Sequence, residues 1–327
     1  MSKNKLDLSE VSIVIPVFNG LDYIDQLIKN ISYYYQAGCE LIFVEDGSKE
    51  TVEAKIAKTF PNAIYVWQEN KGAAAARNHG VALATGTYLQ LMDVDDSISK
   101  DKISVQFSCA EKFNADVVYS DWRNFYIDST TLKEDYQPWI IEKQHEDFIQ
   151  RSLRGWWTPT PCPLIRKKAY IDIDGMNEKL KVGEDTYFFH ELAMRGYNFH
   201  YCPGKFFTYH RHEDKMSLSK NEDSDKLYNS AIFDILKNDF QILTDLNKMT
   251  PEYHKIILVE RFHVARNLVD NDWEESLKIE KNIREIDPKF DPSDQTRLYR
   301  IFYLLFGFQM TETLTLNTYR KFKQLFN

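Results

Sequence analysis

Apolar and polar residues alternate in blocks along the first hundred positions. VSIVIPVF (11–18) is a nearly unbroken, β-branched apolar run that stops at Asn19-Gly20. Such a run predicts a buried strand. Leu21, Ile24, Leu27, Ile28 and Ile31 then recur at helical spacing. CELIFVEDGS (39–48) predicts a second strand, ending in Glu45-Asp46-Gly47-Ser48, followed by a short helix up to Pro61. NAIYVWQ (62–68) predicts a third strand, NKGAAAARNHGVALATG (70–86) a loop and an Ala-rich helix stopping near Gly86, and TYLQLM (87–92) a fourth strand. A βαβαβαβ order implies a mostly parallel sheet with right-handed crossovers.

The pattern then becomes mixed. DVVYSDWRNFYI (116–127) predicts one or two strands, and residues near His145–Leu153 a helix. GWWTPTPCPLIRKKAYIDIDG (155–175) carries Pro159, Pro161 and Pro163 and is expected to be extended. GEDTYFFHELAMRG (183–196) predicts a helix stopped by Gly196, and KFFTYHRH (205–212) a strand. From about Asn221 the periodicity is helical to the end, with polar breaks near Thr250, Pro288 and Pro292. The expected domains are 1–220 and a helical region, 221–327.

Composition narrows the function classes. A chain of 327 residues, 43% hydrophobic and 14% aromatic, can bury a large core. A formal charge of -8 argues against generic nucleic-acid binding, which needs a basic stripe. Cys39, Cys109, Cys162 and Cys202 form no CxxC pair, and scattered thiols fit a reducing cytoplasm. MSKNKLDLSE is no signal peptide, and no apolar run nears the ~20 residues of a membrane span. IFYLLFGF (301–308) reads as core, with an amphipathic lipid-facing surface as the alternative.

Ligands of open α/β sheets bind beyond the carboxyl ends of the strands. Here those ends carry Asn19-Gly20, Glu45–Ser48, Asn70-Lys71-Gly72 and Asp93-Val94-Asp95-Asp96. GxGxxG and GxxxxGK[ST] are both absent, so neither a dinucleotide fingerprint nor a P-loop is indicated. Asp93, Asp95 and Asp96 repel one another unless a cation sits among them. Mg²⁺ or Mn²⁺ suits such oxygen donors and takes phosphates as its other ligands. A turn that caps the following helix is the simpler reading of the same residues.

SIVIPVFNG, VEDGS, NKGAAAARNHG and LMDVDD, in this order, resemble the motifs of a family 2 glycosyltransferase of the GT-A fold, over roughly the first 215 residues. The resemblance implies a GT-A-like, mostly parallel central sheet flanked by helices, with a Rossmann-like nucleotide-sugar half at about 1–98, an acceptor half at about 99–220 and a helical C-terminal extension. It assigns Pro16, Phe18 and Asn19 to base and ribose, and Asp46 to the uracil N–H. Lys71, Gly72, Arg77 and Asn78 would reach nucleotide and sugar, Arg77 through a phosphate or an aspartate. Asp95 would bind Mn²⁺ or Mg²⁺ directly, Asp93 would reach ribose or metal through water, and Asp96 would support them or touch the donor sugar. Asp185, with Glu184 second, would be the base that deprotonates the acceptor hydroxyl, although both also suit a helix N-terminus. His212 would complete the metal shell, with His210 as the alternative, because Arg211 departs from the family pattern here. Trp156 or Trp157 would line the acceptor cleft, its neighbour pointing into the core.

The implied activity is a metal-dependent, inverting transfer from a UDP-sugar to a saccharide or lipid-linked saccharide. The setting would be bacterial surface polysaccharide or glycolipid assembly, in the cytoplasm or at the membrane's inner face. The family's processive members carry QxxRW; its absence implies addition of one or few sugars. The C-terminal helices, with Lys321, Phe322, Lys323 and Phe326, would serve membrane contact or a homodimer. Two rivals are a nucleotidyltransferase acting on sugar phosphates and an inactive nucleotide-binding relic. The first wants a basic, Gly-rich loop after the first strand, where VFNGLDYID has no basic residue.

Overall fold

The computed structural model describes residues 8–127, 132–136, 147–212 and 222–325 and, within these, the side chains outside 126–127, 132–136, 211–212, 222–225 and 316–325. The chain forms two compact units, Met1–Phe148 with Trp156–Ser217, and Ile149–Gly155 with Leu218–Asn327.

In the first unit the expected alternation is present: β1 Val11–Val17, α1 Ile24–Gln36, β2 Glu40–Asp46, α2 Glu53–Thr59, β3 Ile64–Gln68, α3 Ala73–Leu83 and β4 Tyr88–Leu91. Then follow β5 Ser97–Ile98, α4 Lys102–Phe113, β6 Val117–Ile127, β7 Leu132–Tyr136, α5 Phe148–Leu153 (which from Ile149 on belongs to the second unit), β8 Leu164–Arg166, α6 Lys167–Asp172, α7 Glu184–Arg195 and β9 Phe199–His212. DVVYSDWRNFYI thus makes one strand. The stretch after Trp157 is extended only as far as its prolines and β8 reach. Beyond them nothing bars a helix, and α6 forms there with Ala169 and Tyr170 buried.

The sheet order is β3-β2-β1-β4-β8-β6-β9-β5, with β7 on β6. The pairs β3·β2, β2·β1 and β1·β4 are parallel, so their carboxyl ends share one edge. β8 runs antiparallel to β4 and β6, and β9 parallel to β6. The parallel half is therefore the first hundred residues, and the rest is mixed. Successive residues of a strand face opposite sides. Ile13, Ile15 and Val17 accordingly pack with Leu27 and Ile31 of α1, while Val14 packs with Ala76 and Val81 of α3. Both faces are covered, which is why β1 is apolar apart from Ser12, whose hydroxyl donates to Glu40. Gly80 lets α3 lie close to the sheet, since a Cβ there would stand 2.4 Å from Val14 Cγ1.

In the second unit α8 Glu222–Asp245, α9 Pro251–Leu268, α10 Trp273–Ile286 and α11 Arg297–Leu325 follow one another. Thr250 caps α9 by accepting from Tyr253 N at 3.1 Å, and Asp272 caps α10 from Glu275 N at 3.1 Å. Phe262 packs against Phe290, Tyr299, Tyr303 and Phe308. The IFYLLFGF run is core only in part: Tyr303 and Phe308 are buried, whereas Leu304, Leu305 and Phe306 are exposed. Lys321, Phe322 and Lys323 lie outside the described side chains, and Phe326 outside the described residues. No described helix is long and apolar enough to cross a membrane.

Candidate active site

The four strand tips meet along the shared edge, joined by short bonds. Asn19, at φ +51°, turns the chain after β1, and its N–H donates to Ser48 Oγ at 2.7 Å. Glu45 is fully buried. It accepts from Ser48 Oγ, from Val52 N–H at 3.1 Å and from Tyr65 Oη at 2.8 Å, so it holds the β2 tip together. Pro16 is half-buried beside this tip, and Phe18 and Asn19 are exposed.

Asp46 organises the next loop. Its Oδ1 accepts from Gln68 Nε2 at 2.8 Å and Lys71 N at 2.9 Å, and its Oδ2 accepts from Gly72 N at 2.8 Å. A carboxylate offers about four lone pairs, so one acceptor position remains. Gln68 also bonds His79 Nδ1 through Oε1 at 2.8 Å. Neither Gln68 nor His79 was singled out from sequence; the signal available was register, since Gln68 stands opposite Asp46 on the neighbouring strand. Gly47, at φ +74°, permits the approach of β2 and β3 tips: a Cβ there would sit 2.6 Å from Asn70 N. Lys71 is exposed, apart from this backbone bond.

Asp93–Asp96 follow β4. Arg77, buried on α3, donates from Nη2 to Asp93 Oδ1 at 2.7 Å and from Nη1 to Glu184 Oε1 at 3.4 Å. Burial alone would loosen its proton, but Asp93 and then Glu184 outweigh that and hold the guanidinium charged. Asn78 behaves differently from the expectation that it faces the donor. Its Nδ2 donates to Met176 O and Glu178 Oε1, and its Oδ1 accepts from Tyr170 Oη and Met176 N. All four positions of the amide are used in fastening the Gly175–Met176 turn.

Asp96 is buried and its Oδ1 accepts from His210 N at 2.9 Å. Burial, then the charges of Asp93 and Asp95, push its carboxyl well above the usual range. His210 contacts Ser97 Oγ through Nε2 at 3.1 Å and Gln26 through Nδ1 at 3.4 Å. His212 ends β9, and its side chain lies outside those described. Among the described residues no group of three His, Cys, Asp or Glu stands ready to hold a metal. The aspartate triplet nonetheless fits a hard cation by donor chemistry. Asp93 already pairs with Arg77, and Mg²⁺-type ions need only one or two carboxylates when phosphates fill the shell.

Glu184 and Asp185 open α7. Glu184 holds its proton higher than an ordinary carboxyl because of burial and then Asp185, with Arg77 opposing. Asp185 is raised by burial, against Thr186 N–H, Arg77 and a hydrogen bond from the Trp157 side chain. Thr186 N donates to Asp185 Oδ1 at 2.7 Å, and Thr160 Oγ1 reaches Oδ2 at 3.5 Å. Trp157 therefore lies at the carboxylate. Trp156 does not: it is packed among Tyr119, Phe148, Phe189 and Phe199, so of the two expected candidates only Trp157 stands beside Asp185. Adjacent residues of an extended segment face opposite ways, which forces one of the two inward.

Comparison with known proteins bears on this arrangement. The profile of Glycosyl transferase family 2 matches residues 12–215. The chain is 25% identical over 282 residues to the glycosyltransferase GlyG of Streptococcus pneumoniae serotype 4, covering 77% of this chain and 92% of GlyG. It spans 19% and 32% of the length of two Rickettsia glycosyltransferases that it matches at 33% identity. Staphylococcus aureus TarS 1-349 in complex with UDP-GlcNAc is similar in fold, with a TM-score of 0.54 at 17% identity over 79% of this chain and 81% of that one. The mannosyltransferase PcManGT from Pyrobaculum calidifontis, in complex with GDP-Man and Mn²⁺, gives 0.53 at 13% identity over 93% and 83%.

Proposed function

The chain belongs to glycosyl transferase family 2, and from that premise we propose that it moves a sugar from a UDP-sugar to an acceptor hydroxyl, inverting the anomeric carbon in one displacement. The observation that carries the reading is the Arg77 bridge. One buried guanidinium joins Asp93, at the end of the nucleotide-side strands, to Glu184, at the start of α7. The bridge supports a reading in which the carboxylates expected on the donor and acceptor sides serve one site.

In this reading Asp46 shapes the loop Asn70–Gly72 against the nucleotide and keeps one lone pair for the base. Phe18 and Pro16 flank the base and Asn19 the ribose. Lys71 and Gly72 face the donor across their loop. Asp185 takes the acceptor proton as the hydroxyl oxygen attacks from the face opposite the leaving diphosphate. A raised carboxyl pKa suits this role, because a base works best when its pKa approaches the working pH. Glu184 is occupied by Arg77, whereas Asp185 meets Trp157, on whose face an acceptor sugar stacks. Asp95, with Asp93 and with His212 or His210, would hold Mn²⁺ or Mg²⁺; when bound, that ion supplies charge that stabilises the departing diphosphate. Asp96, which accepts from His210 N, would support Asp93 and Asp95 or touch the donor sugar. The acceptor is assigned to bacterial surface polysaccharide or glycolipid assembly on family grounds.

A donor screen tests the reading: hydrolysis of UDP- and GDP-linked sugars is followed with and without Mn²⁺, beside calorimetry of UDP binding. A UDP-sugar should be turned over, and Mn²⁺ should tighten UDP binding in the native protein and not in Asp95→Ala. UDP binding indifferent to Mn²⁺ in both would remove the metal from the account, and turnover confined to GDP-sugars would replace the donor.

A further inference from the structure

Cys109 of α4 and Cys202 of β9 are 93 residues apart in sequence, yet their sulfurs stand 2.9 Å from each other. Both are free thiols. That separation is within about 1 Å of the ~2.05 Å length of a disulfide bond. The two differ in access. Cys202 is 2% exposed, while Cys109 is half-buried and lines an open surface groove with Ser104, Val105, Ser108, Lys112 and Phe113. The remaining cysteines are set apart: Cys39 is buried, and buried Cys162 points its thiol at Ser120 O, 3.3 Å away.

We propose that Cys109 and Cys202 are a redox modification site, oxidised by a peroxide to an intramolecular disulfide that staples α4 to β9. The groove delivers the oxidant to Cys109. Its thiolate attacks one peroxide oxygen, the O–O bond breaks, and a sulfenic acid and one water result. The Cys202 sulfur then displaces the sulfenic oxygen, which leaves with the Cys202 proton as a second water. Two thiols lose two electrons, and one peroxide becomes two waters. Burial, and then Cys109, push the Cys202 thiol up to about 12. It is thus a poor nucleophile toward anything in solution, and contact with Cys109 makes its one reaction intramolecular. The staple joins elements already adjacent: β5, just ahead of α4, pairs with β9 at Ser97 and Ile98. It therefore closes a ring that includes most of the acceptor half without moving the sheet.

The full chain, reduced and then treated with equimolar hydrogen peroxide, tests this by intact mass and unreduced peptide mapping. The expected result is loss of two hydrogens, a Cys109–Cys202 linked peptide, and a thermal midpoint raised by about 10 °C that dithiothreitol reverses. Cys109→Ser and Cys202→Ala should each abolish the linked peptide and the midpoint rise. If Cys202→Ala fails to fold, the half-exposed Cys109→Ser and the mapping of the native chain still decide. Sulfinic acid on Cys109 with Cys202 still a thiol, a different cysteine pair, or four unreacted thiols would each overturn the proposal.

Discussion

Arg77 and Asp93 are joined by a 2.7 Å charge-assisted bond from an arginine that is 5% exposed. A buried guanidinium needs acceptors for its donors, and here two carboxylates from distant parts of the sequence, Asp93 and Glu184, supply them. This bridge ties the loop after β4 to the start of α7, and in the proposed function it governs what substitutions should do.

Arg77→Ala should lower stability by about 2 kcal/mol, less than the roughly 3–5 kcal/mol for breaking a fully buried pair, because both carboxylates keep some contact with water. Arg77→Lys should recover part of the stability and little of the transfer rate, since an ammonium cannot span both carboxylates. Urea unfolding and initial rates on the same preparations check both.

The carboxyls of Glu184 and Asp185 are raised mainly by burial. A base must be charged, so transfer should fail as pH drops through the raised range. The acid limb of kcat/KM should lie above the ordinary carboxyl pKa of about 4. The two titrate as a pair, and removing Arg77's charge should move the limb higher still. The stability effect has the opposite sense. The folded chain holds these protons more tightly than the unfolded one, so their contribution falls as pH rises from the ordinary carboxyl range through the raised one. A pH–rate profile and urea midpoints across the same pH range separate the two.

Trp156→Ala should cost about 3 kcal/mol as a core deletion. Trp157→Ala should cost roughly 1 kcal/mol and raise the acceptor KM with donor hydrolysis unchanged. Paired urea curves and acceptor titrations distinguish the core tryptophan from the site tryptophan.

Gly47→Ala should destabilise by about 2 kcal/mol, because alanine at positive φ is strained and its Cβ strikes the Asn70 backbone. The Asn70–Gly72 loop would shift with it, so UDP affinity should fall at least tenfold by calorimetry.

The nucleotide half was legible because it is built from local signals. Nearly unbroken β-branched runs, helical periodicity and polar strand tips sufficed to place Asp46 and Asp93 along one edge, while Arg77, on a helix, entered only through the family resemblance. What stayed hidden depended on contacts made far along the chain. Arg77 finds Glu184 across 107 residues, and Asn78 spends its amide on Met176 instead of a ligand. Gln68 matters only because strand register sets it opposite Asp46. The Trp156-Trp157 dipeptide announces two rings on opposite faces without saying which is buried and which lies half-buried at Asp185. The helix α6 was hidden by the prolines just ahead of it, whose restriction ends where they end. His212 remains a reading from sequence.

We propose Asp185 as the base of a transfer organised around the Arg77 bridge. Its most direct test measures transfer and UDP binding side by side in Asp185→Asn and Glu184→Gln. Asp185→Asn should bind UDP as the native protein does while transfer falls by at least a thousandfold, and Glu184→Gln should keep a measurable rate. Transfer that persists in Asp185→Asn and vanishes in Glu184→Gln would contradict the assignment.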